Sequence, residues 1–333
     1  MWRSQSRSGT DSHWLWISAA LTAGFGVAAL SLMRALPFSG LPDPVVSLAS
    51  WLGWTLFACG FSVIFYTLRL LRGGVEHPLR ILAAKWKSAK AKYIIIVAGM
   101  LLAGLDMYFY MIAKPELNLL FPFWADPHLA NLDSLMLGRD PWRFFASWDL
   151  ELVSWFYTPI WFLGVLLTFY WLLLKPPSQA KSAAIVAYFL TWTVFGTIGQ
   201  ALLSSGGPIF YARLGFGNRF ASIPIPELES RISDYLWSSY AHHSLVPGAG
   251  ISAMPSLHVA SMTWMVLAYA GFRSRLTIPS FAATLFIYAA SVALGWHYLS
   301  DGLAGAAGAA LCYGVAYYYF SRSEQPQLSP IAV

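Results

Sequence analysis

Four side chains in the last quarter of the chain have the types and spacing to handle a phosphate group. Met254-Pro255-Ser256-Leu257-His258 reads as a helix start: a proline, a serine able to cap, then an apolar run that carries a histidine in its first turn. Such a start offers free N–H groups and a positive dipole end to an anion. Further on, Gly295-Trp296-His297-Tyr298-Leu299-Ser300-Asp301 sets a carboxylate four residues after a second histidine. In a helix these two share a face. A carboxylate so placed holds one imidazole nitrogen and leaves the other free as nucleophile or base. Taken singly, a histidine at the end of an apolar stretch is more often packing, and His-x-x-x-Asp more often a surface ion pair. Their convergence on one surface is what points to chemistry.

That surface is membranous. Of 333 residues, 57% are hydrophobic and only 11% charged, where a soluble globular chain carries about 25% charged residues. Blocks long enough to cross a bilayer run from Trp14–Met33, Val45–Leu68, Tyr93–Ala113, Leu152–Leu174, Ser182–Leu203, Ser256–Phe272, Leu276–Trp296 and Gly302–Phe320. The expected fold is therefore an all-α polytopic membrane bundle of about eight transmembrane helices. Arg273 and Arg275 separate the sixth and seventh blocks, since arginines at mid-membrane are costly. The first block is longer than the apolar part of a signal peptide and no A-x-A-like site follows it, so it reads as a retained anchor.

Arg69, Arg72, Arg80, Lys85, Lys87, Lys90 and Lys92 face a single acid, Glu76, after the second block, which marks a cytoplasmic loop. Counting from there makes the amino terminus (Arg3, Arg7), the Lys175–Lys181 loop, the Arg273–Arg275 turn and the carboxyl tail (Arg322) cytoplasmic, and each is basic. These segments hold two thirds of the 21 basic residues but only Asp11, Glu76 and Glu324 of the 15 acidic ones. Topology thus accounts for the net charge of +6 without a nucleic-acid partner. The expected division is a pair of helices with a basic loop over 1–92, a six-helix catalytic core over 93–320, and a cytoplasmic tail over 321–333. Both histidines then face the periplasm or lumen of a plasma, inner or Golgi membrane.

Two exoplasmic segments are long. In 114–151, Leu129, Leu132, Leu135 and Met136 recur at helical spacing, which predicts an amphipathic helix that either caps the bundle or guides lipid. The segment 204–255 reads as loop, with Ser205-Gly206-Gly207-Pro208, then Arg213 and Arg219 among glycines, then Pro247-Gly248-Ala249-Gly250.

Ser-Ala-Met-Pro-Ser-Leu-His-Val-Ala (252–260) with Gly-Trp-His-Tyr-Leu-Ser-Asp-Gly-Leu-Ala-Gly (295–305) resembles the type 2 phosphatidic acid phosphatase superfamily, whose hallmarks are P-S-G-H and S-R-x5-H-x3-D. Pro-Ser-Leu-His preceded by Ala-Met is similar to the branch that contains inositol phosphorylceramide synthase. The resemblance covers 93 to 320. It implies His297 as the nucleophile on phosphorus, Asp301 as the group orienting it, His258 as the acid for the leaving oxygen, and Ser256 with its neighbouring amides as phosphate ligands. It also implies no metal and no cofactor, a membrane phospholipid donor, and a lipid or polar-alcohol acceptor. Two departures stand out: the family's arginine six residues before the nucleophile is Ser291 here, and there is no Arg-Pro pair for the first family motif. Phosphoryl transfer still needs cations, and Arg213 and Arg219 are the candidates in the loop before Pro255. The missing arginine points toward head-group transfer. Hydrolysis of a lipid phosphate or polyprenyl diphosphate is the alternative, and a proton-coupled transporter using Asp106 and the histidines is the rival of another class. Adjacent His242 and His243 point apart and lack cysteine partners, which argues against a metal there.

Overall fold

The computed structural model describes residues 12–88 and 90–323. Arg3, Arg7, Asp11, Glu324 and the tail beyond 323 lie outside them. The elements are α1 Ser12–Ala35, α2 Pro44–Arg72, α3 Pro78–Ser88, α4 Lys90–Leu120, α5 Asp126–Leu137, α6 Leu150–Leu174, α7 Gln179–Phe189, a π-helical stretch Leu190–Gly196, α8 Thr197–Leu202, α9 Glu227–Ala241, α10 Leu257–Gly271, α11 Thr277–Ala293 and α12 Leu299–Ser323. Among the described residues, six helical segments are long and apolar enough to cross a membrane. The expected sixth and seventh spans are helices too, but short ones of 15 and 17 residues. The chain is a polytopic helical membrane protein.

Contacts between side chains and carbonyls sort the helix ends into two sets. At one end, Lys92 Nζ donates to Leu174 O at 2.7 Å, Lys181 Nζ to Lys175 O at 3.1 Å, and Gln179 Nε2 to Tyr317 O at 3.3 Å. Lys175 there lies over the Trp171 ring at 4.0 Å. This is the basic end, where lysine stems lie along apolar surface and the ammonium groups cap the last carbonyls of neighbouring helices. The other end collects the C-terminal part of α4, the starts of α6, α10 and α12, and the end of α11, and the long segments fold over it.

Those segments are more ordered than their composition suggests. The amphipathic helix is α5, with Leu129 buried and Leu135 83% exposed. The segment 204–255 contains the 15-residue helix α9, which the glycine and proline density hid. Asp106 lies on α4. It is buried, and Thr22 Oγ on α1 donates to it at 3.1 Å, so a polar pair joins α1 to α4 inside the bundle.

Candidate active site

His297 is not helical. It sits in the turn between α11 and α12, with Asp301 one turn into α12. The i, i+4 spacing therefore works across a helix start and not along one helix. Asp301 Oδ2 accepts from Tyr298 N at 2.8 Å, the acidic half of a capping box, and lies 3.5 Å from His297 Nδ1. The nearer partner of Nδ1 is Ala253 O, at 2.8 Å. A carbonyl oxygen only accepts, so Nδ1 carries the proton and Nε2 keeps its lone pair. Nε2 faces His258 Nδ1 at 3.4 Å, and for that contact to be favourable the His258 nitrogen must be the donor. The two nitrogens that face each other are thus an acceptor on His297 and a donor on His258. The His258 ring is held between Trp161 and Tyr157, at 4.4 and 5.1 Å between centroids.

Ser256 caps α10 as expected, its Oγ accepting from Val259 N at 3.4 Å. It is fully buried, its own N–H donates to Asp301 O at 3.0 Å, and it lines neither cavity beside the histidines. The backbone of Ser256 thus joins α10 to α12, and its side chain stands away from both cavities. That junction is close enough that a Cβ on Gly305 would stand 2.3 Å from Ser256 O. The amides of Leu257 and His258, the first two of α10, take no backbone acceptor among the described residues, and both residues line a cavity.

The two arginines nominated from the sequence also stand away from the cavities. Arg213 pairs with Asp234 on α9. Arg219 is held by Asp140 at 2.6 Å, Asn131 Oδ1 at 2.7 Å and Ala130 O at 2.9 Å, which ties the loop to the end of α5. Neither lines the cavities. Lys114 lines both, on the last third of α4, and is the one cation to do so among the described residues. It reads in the sequence as the first residue after a span, because α4 continues to Leu120 where the apolar count stops at Ala113.

The glycine-rich stretch is bonded to α5. Gly206 N and Gly207 N donate to the Asp126 carboxylate at 3.0 and 2.8 Å, and Tyr298 Oη donates to it at 2.9 Å. Gly207 has φ +93°, and a Cβ there would stand 2.4 Å from Trp296 O, so the stretch wedges under the catalytic turn. Asp133, two turns further along the same face of α5, accepts from Leu299 N and, at 2.9 Å, from Ser300 N. Burial pushes the carboxyls of Asp126 and Asp133 up from the ordinary range, and these donors oppose it. Ser291, where the family has arginine, is buried and offers its carbonyl to Trp296 N and His297 N at 3.0 and 3.2 Å.

Two cavities meet at the histidines. One, of about 380 Å³, is the more polar of the two and is lined in part by Tyr157, Ser252 and Glu229. Glu229, missed in the loop-like sequence, is buried on α9 and accepts from Ser154 Oγ and Trp296 Nε1, both at 2.6 Å. Burial raises its carboxyl pKa, against those two donors. The other cavity, of about 480 Å³, runs between α2, α4, α6 and the π-helical stretch and is mostly apolar. His242 and His243 lie away from both; His242 Nδ1 is 2.8 Å from Ser238 O. No cluster of metal-ligating side chains occurs among the described residues.

A helical membrane bundle with a histidine pair and an open helix start at one end defines a class of membrane enzyme built for phosphate esters. Residues 145–315, just over half of the chain, match the family model described as the PAP2 superfamily, and the chain belongs to that superfamily. Membership supports an enzyme of the phosphatase or phosphotransferase type acting on lipids. Comparison with curated proteins and with solved structures gives no match.

Proposed function

We propose that the protein is a lipid phosphotransferase that works through a phosphohistidine at the exoplasmic surface, in the manner of inositol phosphorylceramide synthase. His297 Nε2 attacks phosphorus, the bond from phosphorus to the leaving oxygen breaks, and His258, entering the step as the imidazolium, gives that oxygen its Nδ1 proton and is left neutral. In the second half, an acceptor hydroxyl gives its proton back to His258 and attacks phosphorus, and the P–N bond breaks. Lys114 offsets charge on the transferred group and the α10 amides take its oxygens, in place of the arginines nominated from the sequence. Asp301 orients His297 and stabilises it when charged. The observation that carries this reading is the commitment of His297 Nδ1 to Ala253 O, which leaves Nε2 opposite His258 Nδ1.

Transfer is favoured over hydrolysis because the second cavity keeps the site next to apolar surface, where a lipid hydroxyl competes well with water. The transporter alternative draws no support from Asp106, which is bonded to α1 and lines neither cavity. Purified protein given a head-group-labelled phospholipid should form a new labelled lipid when ceramide or diacylglycerol is added, and release little free phosphate from phosphatidic acid. His297→Ala should abolish both the turnover and an acid-labile phosphoenzyme. Rapid phosphate release unaffected by acceptor would make the enzyme a phosphatase; near-normal turnover in His297→Ala would end the covalent mechanism.

A further inference from the structure

We infer that the apolar cavity is a chamber for one hydrocarbon chain of the lipid substrate, and that α2, upstream of the family-matched segment, sets the length of chain it accepts. This rests on the functional reading above and adds a substrate class to it: phosphate esters whose chain enters the bundle, distinguished by that chain.

The chamber runs directly into the catalytic centre. His258, His297 and Lys114 line it as well as the polar cavity, so an amphiphile with an anionic head at Lys114 and an apolar tail along α4 and α6 meets matching surface at both ends. The wall opposite the core comes from α2, through Ser47, Ser50, Trp51 and Trp54. That helix is fixed in place at two points. Ser39, in the connection from α1, pairs with the loop before the site, its N–H donating to His243 O and its carbonyl accepting from Leu245 N, both at 2.9 Å. Trp51 packs on Gly104 of α4, where a Cβ would stand 2.6 Å from the ring. Trp54 meets Phe162 of α6 edge to face at 5.2 Å, which closes the chamber between the two helices.

A second observation also calls for a ligand. Trp192 lines the chamber from the π-helical stretch, and its buried Nε1–H has no acceptor. Buried donors are nearly always paired, and a lipid carbonyl or hydroxyl part-way along the chain would pair this one. π-helical turns recur at functional sites because they re-aim a side chain out of the regular helical register.

The test is a homologous series of alkyl phosphate esters that differ by one methylene, assayed with the full-length protein in detergent. kcat/KM should rise about fourfold per methylene while the chamber fills, then level off. Ser47→Trp should move the levelling point to shorter chains and Trp54→Ala to longer ones. A levelling point that neither variant moves, with turnover intact, overturns the chamber. If the wild-type protein turns over no ester, the functional reading fails, and a phosphate ester with a mid-chain photoreactive diazirine decides the chamber separately: label on α2 and Trp192 supports it, and label confined to other helices overturns it.

Discussion

Two helix starts meet at the histidines, and they are capped in opposite ways. At α10 the cap is local: Ser256 serves Val259 three residues on, and the amides of Leu257 and His258 stay open toward the cavity. At α12 the cap comes from far away in the chain. Asp133, on α5, takes the first two amides of the helix, and Asp301 takes the Tyr298 amide from within. The difference assigns the roles of the two ends. An anion is drawn to a helix start with free donors, and a buried carboxylate that occupies those donors removes the attraction. Under the proposed function, phosphate oxygens go to α10, while α12 is pinned so that His297 is held in one orientation.

The strongest way to break this comparison is to remove the distant cap. Asp133→Ala loses two hydrogen bonds to a charged acceptor, each worth about 1.5–3 kcal/mol, and kcat should fall on the order of a hundredfold with a smaller change in KM. Asp133→Asn keeps one acceptor oxygen and should recover part of the loss. A pH signature separates this from general damage. With its folded-state pKa raised by burial, Asp133 takes up a proton on folding in the window above the ordinary carboxylate value of about 3.9. Stability contributed there falls as pH rises through the window, and thermal unfolding of Asp133→Asn should lack that slope. Full activity in Asp133→Ala would show that α12 holds its own start.

A smaller effect is expected from the cation. Lys114→Ala should raise KM for a phosphate ester about tenfold or more, with partial rescue by Lys114→Arg, while Arg213→Ala stays within about twofold because its partner, Asp234, is exposed and the pair is worth little. Equal effects from Lys114 and Arg213 would return the arginines to the site.

The smallest effect sharpens the local cap. Ser256→Ala should cost about 1 kcal/mol of stability. Ser256→Asp sets a negative charge at the open amides, so KM for the ester should rise above its value in Ser256→Ala. If KM in Ser256→Asp is unchanged, phosphate does not bind at the α10 start.

Much of this was legible in the sequence. Composition and apolar block length established a helical membrane bundle, because a bilayer admits few other solutions. Ser256 and the apolar run after it marked the α10 start, since capping depends on neighbours three residues apart. His258, His297 and Asp301 were nominated from type and spacing, and all three fall within the matched residues 145–315. Tertiary structure alone decided what lies between distant segments. Arg213 and Arg219 looked free because their partners, Asp234 and Asp140, are engaged only when α9 and α5 fold over the bundle. Lys114 and Glu229 looked ordinary because nothing local marks a side chain that reaches a cavity made by five helices. Ala253 O, which sets the tautomer of His297, is a backbone atom in a loop. The sequence determines which groups can do the chemistry, because that is a property of residue type. Which of them are free to do it depends on what their polar atoms are bonded to, and for most of this site those partners are more than forty residues away.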